Sequence, residues 1–565
     1  MYSLLQETKQ AREKGLLEMK RLVVDIETDS LDATTIYCIV AKDLDEERIY
    51  TYHTDNVHHA KPLLESADIL VFHNGVSFDA PVIKRLLGVN IPLSKIRDTL
   101  IMSQMADPMR DGGHSLDAWG KTFGYPKLEF SDFSGYSDEM LTYCIRDVEL
   151  TAKVYKALVP TLKGFSARSI NLEHQVRAVI DKQEQNGFTL DVKNAMLLVA
   201  RLSDESTKIN NELQEVFKPI TQVRISEKTG KRLKDKVTVF NPGSRKQIAE
   251  RLQGLGVTFK KKTEKGNIIV DEKVLDGIDL PEAKAVARYM MLQKRVAQID
   301  SWLKAVKDDG RVHGRVITNG AVTGRMTHLS PNMAQVPAVS APFGTECRSC
   351  WTVDEGNVLV GIDASGLELR MLAHYMDDED YTNEILNGDI HTANQRAAGL
   401  KTRTLAKTFI YAFLYGAGDA KIGAIVGGNS FTGRGLKETF LSNTPSLERV
   451  RGDTHIEAKS GVLTGLDGRK LRVRSEHAAL NTLLQGAGAI VMKQALIHLS
   501  DRLKNIPHRF VANVHDEWQI ETTKHYADTV GRIGVRAIRI AGETLNLRCP
   551  LDGEYRVGNN WAETH

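Results

Sequence analysis

The chain reads as a multidomain protein of mixed α/β and α+β type. Its 565 residues are several times the length of an ordinary single core, so two or more cores are expected. Residues 1–165 alternate short apolar strands with helical stretches, an α/β pattern. Beyond them the pattern changes to long helices, then Gly-rich strands, then helices again and a mixed final region.

Strands are expected at Leu22–Glu27, Tyr37–Ala41 and Ile69–Phe72, and helices at Pro81–Leu87 and Glu139–Leu158. Gly164 marks a boundary. A long helical pattern from Asn171 to Leu213 is interrupted at Asn186-Gly187. A basic, polar stretch follows, with Arg224, Lys228, Lys231, Arg232, Lys234 and Lys236, and then a second basic knot at Lys260-Lys261-Lys262. Helix returns over Ala283–Val306. Strands and Gly-rich turns lead to Asp363, and helices run on to His455.

Several classes are excluded by composition. Hydrophobic residues at 42% and charged residues at 26% are ordinary globular values. No apolar run approaches the ~18 residues that suggest a membrane span. Met1–Arg21 is mixed in charge and helix-prone, with Glu7, Glu13 and Glu18, which fits neither a secretory signal nor a transit peptide. The five cysteines are scattered apart from Cys347 and Cys350, and a lone C-x-x-C favours reduced cytosolic thiols over zinc. A net charge of +3 neither requires nor forbids a nucleic-acid partner.

Two groups of acids carry the chemistry. In Val23-Val24-Asp25-Ile26-Glu27, strand alternation puts Asp25 and Glu27 on one face, where they suit a hard cation. Alone, the pair is better read as an exposed strand end with two solvated acids. Asp79, in His73-Asn74-Gly75-Val76-Ser77-Phe78-Asp79, opens a helix and has a capping role as its alternative. Tyr143 and Asp147 are four residues apart on a helix and share a face. Four acids and a phenol form the set that two-metal phosphodiester hydrolysis needs.

The second group begins with Asp363 at the end of the apolar strand Val358–Asp363. Asp516 and Glu517 stand at the tip of a hairpin within Phe510–Ile520, where an exposed turn is the plain alternative. Between them, Arg403, Lys407, Tyr411 and Tyr415 recur every four residues before Gly416-Ala417-Gly418 ends the helix. Each step of four advances about 40° on a 3.6-residue helix, so two cations and two rings form one stripe suited to a nucleoside triphosphate. A solvated basic edge with two core tyrosines accounts for the rings but not for their alignment.

The order D-I-E, N-x-x-x-F-D, Y-x-x-x-D resembles the three motifs of DEDDy proofreading exonucleases. Thr323-Gly324-Arg325, Pro331–Pro337, Gly361–Arg370, the striped helix, Leu480–Gln485, His515-Asp516-Glu517 and Asn560-Trp561-Ala562 resemble family A DNA polymerases, above all those of short-tailed bacteriophages. Together the two resemblances cover nearly the whole chain.

They imply an RNase H-like exonuclease domain over residues 1–165 and a right-hand polymerase. In that hand, residues 166–307 are the thumb and connecting helices, 308–372 and 481–565 the palm, and 373–480 the fingers. Asp25, Glu27, Asp79 and Asp147 would hold two Mg²⁺ ions, with Tyr143 positioning water. Asp363, the main chain of Ala364 and Asp516 would hold two more, about 3.5–4 Å apart. Glu368, His391, Arg403, Lys407 and Tyr411 would bind the incoming dNTP. In that set Glu368 would exclude ribonucleotides, and the Tyr411 hydroxyl would make dideoxynucleotides acceptable. Arg325, Tyr415, Gln485 and His515 would contact DNA, the first, third and fourth of these through the minor groove. The basic stretches would let the thumb grip phosphates.

Primer-template DNA, dNTPs, a phage helicase-primase and a single-stranded DNA-binding protein are the implied partners, in the cytoplasm of a bacterial host. The stretch from Phe217 to Val239 is too short for a thioredoxin-recruiting insertion, and the exonuclease strand begins too early for a preceding 5′-nuclease domain. Replicative synthesis is therefore expected. The rivals are a nuclease with a defunct polymerase half, a single-subunit RNA polymerase and a DNA-binding scaffold. They are disfavoured by the presence of Asp363, Arg403, Lys407 and Asp516, by Glu368, and by the two complete acid sets respectively.

Overall fold

The structure is a computed structural model and describes residues 19–228, 230–259, 262, 263 and 265–565. The expected N-terminal helical stretch lies outside the described residues apart from its last few, as do Lys260 and Lys261 of the second basic knot.

Five strands build the first sheet: β1 (Arg21–Thr28), β2 (Ile36–Asp43), β3 (Ile49–His53), β4 (Ile69–Phe72) and β5 (Ile96–Asp98), in the order β3-β2-β1-β4-β5. The β1–β2 and β2–β3 pairs are antiparallel, and the β1–β4 and β4–β5 pairs parallel. Strand β1 is central, which explains why Leu22, Val23, Val24 and Ile26 are buried on both of its faces. Each such side chain contributes about 1.5–3 kcal/mol of burial. Helices α1 (Asp79–Leu87) and α2 (Asp138–Thr161) pack into the same core. Ser137 caps α2 by accepting from the Met140 amide, and Asp138 and Glu139 favour the positive end of its dipole.

Helix α3 (Ala167–Asn186) leads away from this unit. Helices α4 (Val192–Val216) and α5 (Pro281–Ala305) form a long pair, tied by Arg288–Glu205 and Gln293–Ser206, both at 2.7 Å. Each has 25 residues, roughly 37 Å at 1.5 Å per residue. One end of the pair is rooted against Trp302, Trp351, Phe188 and Trp561. The far end closes on Leu213, Phe217, Phe240, Leu252 and Val286. From that far end projects a two-stranded ribbon, β6 (Ile220–Ile225) and β7 (Arg232–Thr238). The first basic stretch is thus a hairpin, and most of its residues are exposed on both faces.

The second sheet is antiparallel throughout and comprises β8 (Asn357–Ala364), β9 (His508–Val514), β10 (Glu517–Thr523) and β11 (Gly553–Gly558), in the order β9-β10-β8-β11. Helices α6 (Leu367–Met376), α7 (Ile390–Ala398), α8 (Arg403–Leu414), α9 (Ala479–Leu503) and α10 (Ala527–Thr544) share the largest core with it. No helix among the described residues is long and apolar enough to cross a membrane.

Four side chains lock α3 to the second half of the chain. Glu173 on α3, Asp467, Arg469 and Lys493 on α9 are almost wholly buried. Lys493 lies 2.6 Å from Glu173 and Arg469 2.7 Å from Asp467, and Arg469 also pairs with Glu173. Burial draws the Lys493 ammonium down to about 8 despite Glu173.

Candidate active sites

The first site forms around β1. Asp25 and Glu27 share a face of the strand, and an atom of each lies within 4.8 Å of the Cys144 sulfur and of the other. The Cys144 thiol, buried and held well above its ordinary range, donates to Asp25 at 3.5 Å. Asp79 is the first residue of α1. Phe78 occupies the cap position, so the acid is not spent on capping. Burial raises Asp25 to about 7, with repulsion from Asp147 adding, and Glu27 to about 10, with repulsion from Asp25 adding; it raises Asp79 well above the carboxylate range and Asp147 as well. Asp79 Oδ1 and Asp147 Oδ1 are buried and have no hydrogen-bond donor among the described residues. An all-oxygen set of crowded, partly unsatisfied carboxylates suits hard divalent cations.

Tyr143 lies half-buried on the same turn of helix as Asp147, its ring 5.4 Å from Phe130. Two further residues escaped the motif reading. Asp98 accepts from the amides of Asn74, Val76 and Leu100 at 2.9–3.0 Å and so shapes the turn that delivers Asp79. In that turn Gly75 is required, because a Cβ there would collide with the Phe72 side chain. Lys127 places its ammonium 2.6 Å from Asp147 Oδ2. Neither residue has a repeating neighbour in the sequence that could have flagged it.

The second site is assembled by the second sheet. The Ala364 amide donates to the Asp516 carbonyl at 3.0 Å, fastening the end of β8 to the β9–β10 turn. His515 supplies that turn with a left-handed φ of 58°. Burial, then Asp516 and Glu517, lift the Asp363 carboxyl to about 7, and burial also raises Asp516.

Glu517 departs from expectation. It is the first residue of β10 rather than the hairpin tip, and it is buried. It accepts from Trp561 Nε1 and Gln519 and lies 2.9 Å from His565 Nδ1. Burial opposes its charge, but His565 and Arg348 outweigh that and hold it below the usual range. Asp363, Glu517 and His565 present atoms within 4.8 Å of one another.

Arg325, Glu368, His515 and Asp516 line one cleft with Gly488 and Met492 of α9. Gln485 sits half-buried on α9, three residues before Gly488, and is not among the residues lining that cleft. On α8, capped by Thr402 and ended by Gly416 with φ 71°, the stripe is real: Tyr411 and Tyr415 stack at 6.4 Å and 25°. His391 of α7 stands 6.2 Å from Tyr411. Arg403 is exposed and paired with Asp389 at 2.6 Å, and Lys407 is exposed beside it. Cys347 and Cys350 are buried in the core at the root of the long helix pair, and burial pushes their thiols up to about 11 and about 12.

Residues 203–563 match the family model described as DNA polymerase family A, and residues 6–163 match that described as 3'-5' exonuclease. The chain is 34% identical to the DNA-directed DNA polymerase of Enterobacteria phage T3, across 96% of this chain and 100% of the relative. The figures are the same for that of Escherichia phage T7. DNA polymerase I of Aquifex aeolicus is 29% identical over 92% of each chain. A solved structure of the POL domain of Pol1 from M. smegmatis, in complex with DNA primer-template and dNTP, superposes with a TM-score of 0.79. It covers 98% of both chains at 19% identity.

Proposed function

This chain belongs to DNA polymerase family A and carries a 3′-5′ exonuclease domain ahead of its polymerase domain, and on that premise we propose how its two sites divide the work of phage replication. It is a DNA-directed DNA polymerase, acting on primer-template DNA and dNTPs. On this reading the exonuclease domain is assigned residues 1–165, the thumb and its connecting helices 166–307, the palm 308–372 and 481–565, and the fingers 373–480. Support for this division comes from two cores that each stay within one part, that of the exonuclease and that at the far end of the thumb, whereas a third joins the root of the thumb to the palm and the largest joins α3, palm and fingers.

The observation that carries the synthetic reading is the main-chain bond between Ala364 and Asp516, because it fastens the strand end that bears Asp363 to the turn that bears Asp516. Asp363, the Ala364 carbonyl and Asp516 would hold two Mg²⁺ ions. When bound, these supply charge neutralisation and acidify the primer 3′-hydroxyl. Arg403, Lys407 and His391 would then hold the triphosphate, with Arg403 exchanging Asp389 for phosphate oxygens. Tyr411 and Tyr415 offer faces to base and sugar. Glu368 blocks a ribose 2′-hydroxyl, and Arg325, Gln485 and His515 test the minor groove of the new pair.

Asp25, Glu27, Asp79 and Asp147 would hold two Mg²⁺ ions in the exonuclease site, with Tyr143 orienting the attacking water. The exposed ribbon carries Arg232, Lys234 and Lys236 on one face, at intervals of about 6.6 Å, a row suited to a phosphate backbone. The enzyme would work in the bacterial cytoplasm beside a helicase-primase and a single-stranded DNA-binding protein, and would draw its processivity from this thumb rather than from thioredoxin.

The decisive test is a pair of variants. Asp363→Ala abolishes primer extension and spares degradation of single-stranded DNA, and Asp25→Ala does the reverse. Loss of both activities in either variant would refute the two-site division.

A further inference from the structure

Among the described residues Lys127 alone is ion-paired to one of the exonuclease acids, and no motif names it. It lies in the irregular segment between the helix Leu116–Phe123 and α2. That segment is pinned from several sides. The Tyr125 hydroxyl donates to Glu149, and Arg146 donates to the Pro126 carbonyl at 3.1 Å. The Tyr37 hydroxyl donates to the Ser134 carbonyl at 3.2 Å, and Tyr136 stacks 5.1 Å from His53. Lys127 is therefore delivered to the acids by a fixed segment, not a free loop.

Its ammonium is 2.6 Å from Asp147 Oδ2 and 4.9 Å from the centre of the Tyr143 ring. The side chain keeps 26% of its surface open, against 6% for its partner Asp147, so the ammonium is reachable from solvent.

Charge counting shows what such a cation can do. Four carboxylates and two divalent cations cancel. An incoming phosphodiester then brings one uncompensated negative charge, and more spreads over its oxygens as water attacks. A single ammonium supplies the missing charge at the place where it develops.

Resting on the two-cation reading of this site, we propose that Lys127 is a further catalytic residue of the exonuclease, contacting a non-bridging oxygen of the scissile phosphate. In the DNA-free protein the ammonium is parked on Asp147. When cations occupy the acids it turns to the phosphate and keeps the Tyr143 ring beneath it by cation–π attraction. The chemistry is ordinary hydrolysis. The water oxygen bonds to phosphorus, the bond from phosphorus to the 3′ oxygen breaks, and that oxygen takes the proton the water loses. Lys127 transfers no proton and stays charged throughout.

The test uses the full chain carrying Lys127→Met or Lys127→Arg, with melting curves as the folding control. Single-turnover excision from a short single-stranded oligonucleotide is expected to fall at least about thirtyfold in Lys127→Met, as for a lost transition-state donor, and to recover to within about fivefold in Lys127→Arg. Oligonucleotide affinity is measured against salt with Ca²⁺ replacing Mg²⁺. Losing one phosphate contact lowers the slope of log K against log[salt] by about 0.7 for Lys127→Met and leaves it unchanged for Lys127→Arg. An unchanged slope in Lys127→Met overturns the proposal, whatever happens to the rate, because a purely scaffolding lysine would not move it. Residual excision by Asp25→Ala would instead defeat the two-cation reading on which the proposal rests.

Discussion

The Tyr415 hydroxyl donates to both carboxylate oxygens of Glu368, at 2.6 and 2.7 Å, while Arg325 approaches one of the same oxygens at 3.2 Å. The carboxylate that would exclude ribose is thus held by the end of α8 on one side and by the arginine of the Thr323-Gly324-Arg325 segment on the other. Removing the Tyr415 donor takes away a hydrogen bond to a charged group, worth roughly 1.5–3 kcal/mol. Tyr415→Phe is therefore expected to lower discrimination between dATP and ATP by about tenfold or more, read as the ratio of kcat/KM values. Full retention would mean that packing alone holds Glu368.

Tyr411 lies between His391 and Tyr415, with its ring half-buried and its hydroxyl near the charge of Glu368 and Asp516. If that hydroxyl stands in for an absent 3′-hydroxyl, Tyr411→Phe lowers dideoxynucleotide incorporation relative to dNTP by about tenfold, the worth of one hydrogen bond. Competitive primer extension with chain terminators measures it.

The exonuclease acids predict a pH dependence of stability in metal-free protein. Burial raises Asp25 to about 7 and Glu27 to about 10, above their unfolded values near 4. Between those limits the folded chain binds more protons than the unfolded one, so stability falls as pH rises from about 4 to 10. Divalent cations replace the protons and reverse the trend. Melting at pH 6 and pH 9, with and without Mg²⁺, tests this. The metal-free decline should flatten in an Asp25→Asn, Glu27→Gln double variant.

Glu173→Gln leaves two buried cations with Asp467 as their remaining partner. Breaking a buried ion pair from one side costs about 3–5 kcal/mol, so the melting temperature should fall by several degrees. Adding Lys493→Met removes one stranded charge and should restore part of the loss. If the double variant melts no higher than the single one, the cluster contributes through shape and not charge.

Much of this was legible in the residues themselves. Asp25 and Glu27 sit on a strand whose alternation dictates a shared face, and the four-residue spacing from Arg403 to Tyr415 dictates a stripe, which the stacked tyrosines display. What was not legible depends on contacts distant in sequence. Strand β5 has three residues and exists because β4 offers it a parallel partner. Lys127 lies in an irregular segment with no periodicity, and only the fold brings it to Asp147, 20 positions away in the sequence. The basic stretch after Phe217 showed its charge but not its ribbon form, because exposed strands leave no alternation of burial to read.

Helix α3 carries two neighbours that look in opposite directions. Glu173 reaches Lys493 and Arg469, in the polymerase half. His174, kept neutral by burial, accepts from the Asp98 amide at Nε2 and lies 2.7 Å from the Ile170 carbonyl at Nδ1. Asp98 in turn shapes the turn that bears Asp79. Nuclease and polymerase therefore meet at a seam that no cut can divide cleanly. A chimera joined at residue 165 inherits an exonuclease missing its histidine, and one joined after residue 186 strips the polymerase of its buried glutamate. Recombination between relatives can exchange these halves only when the helix at the join suits both.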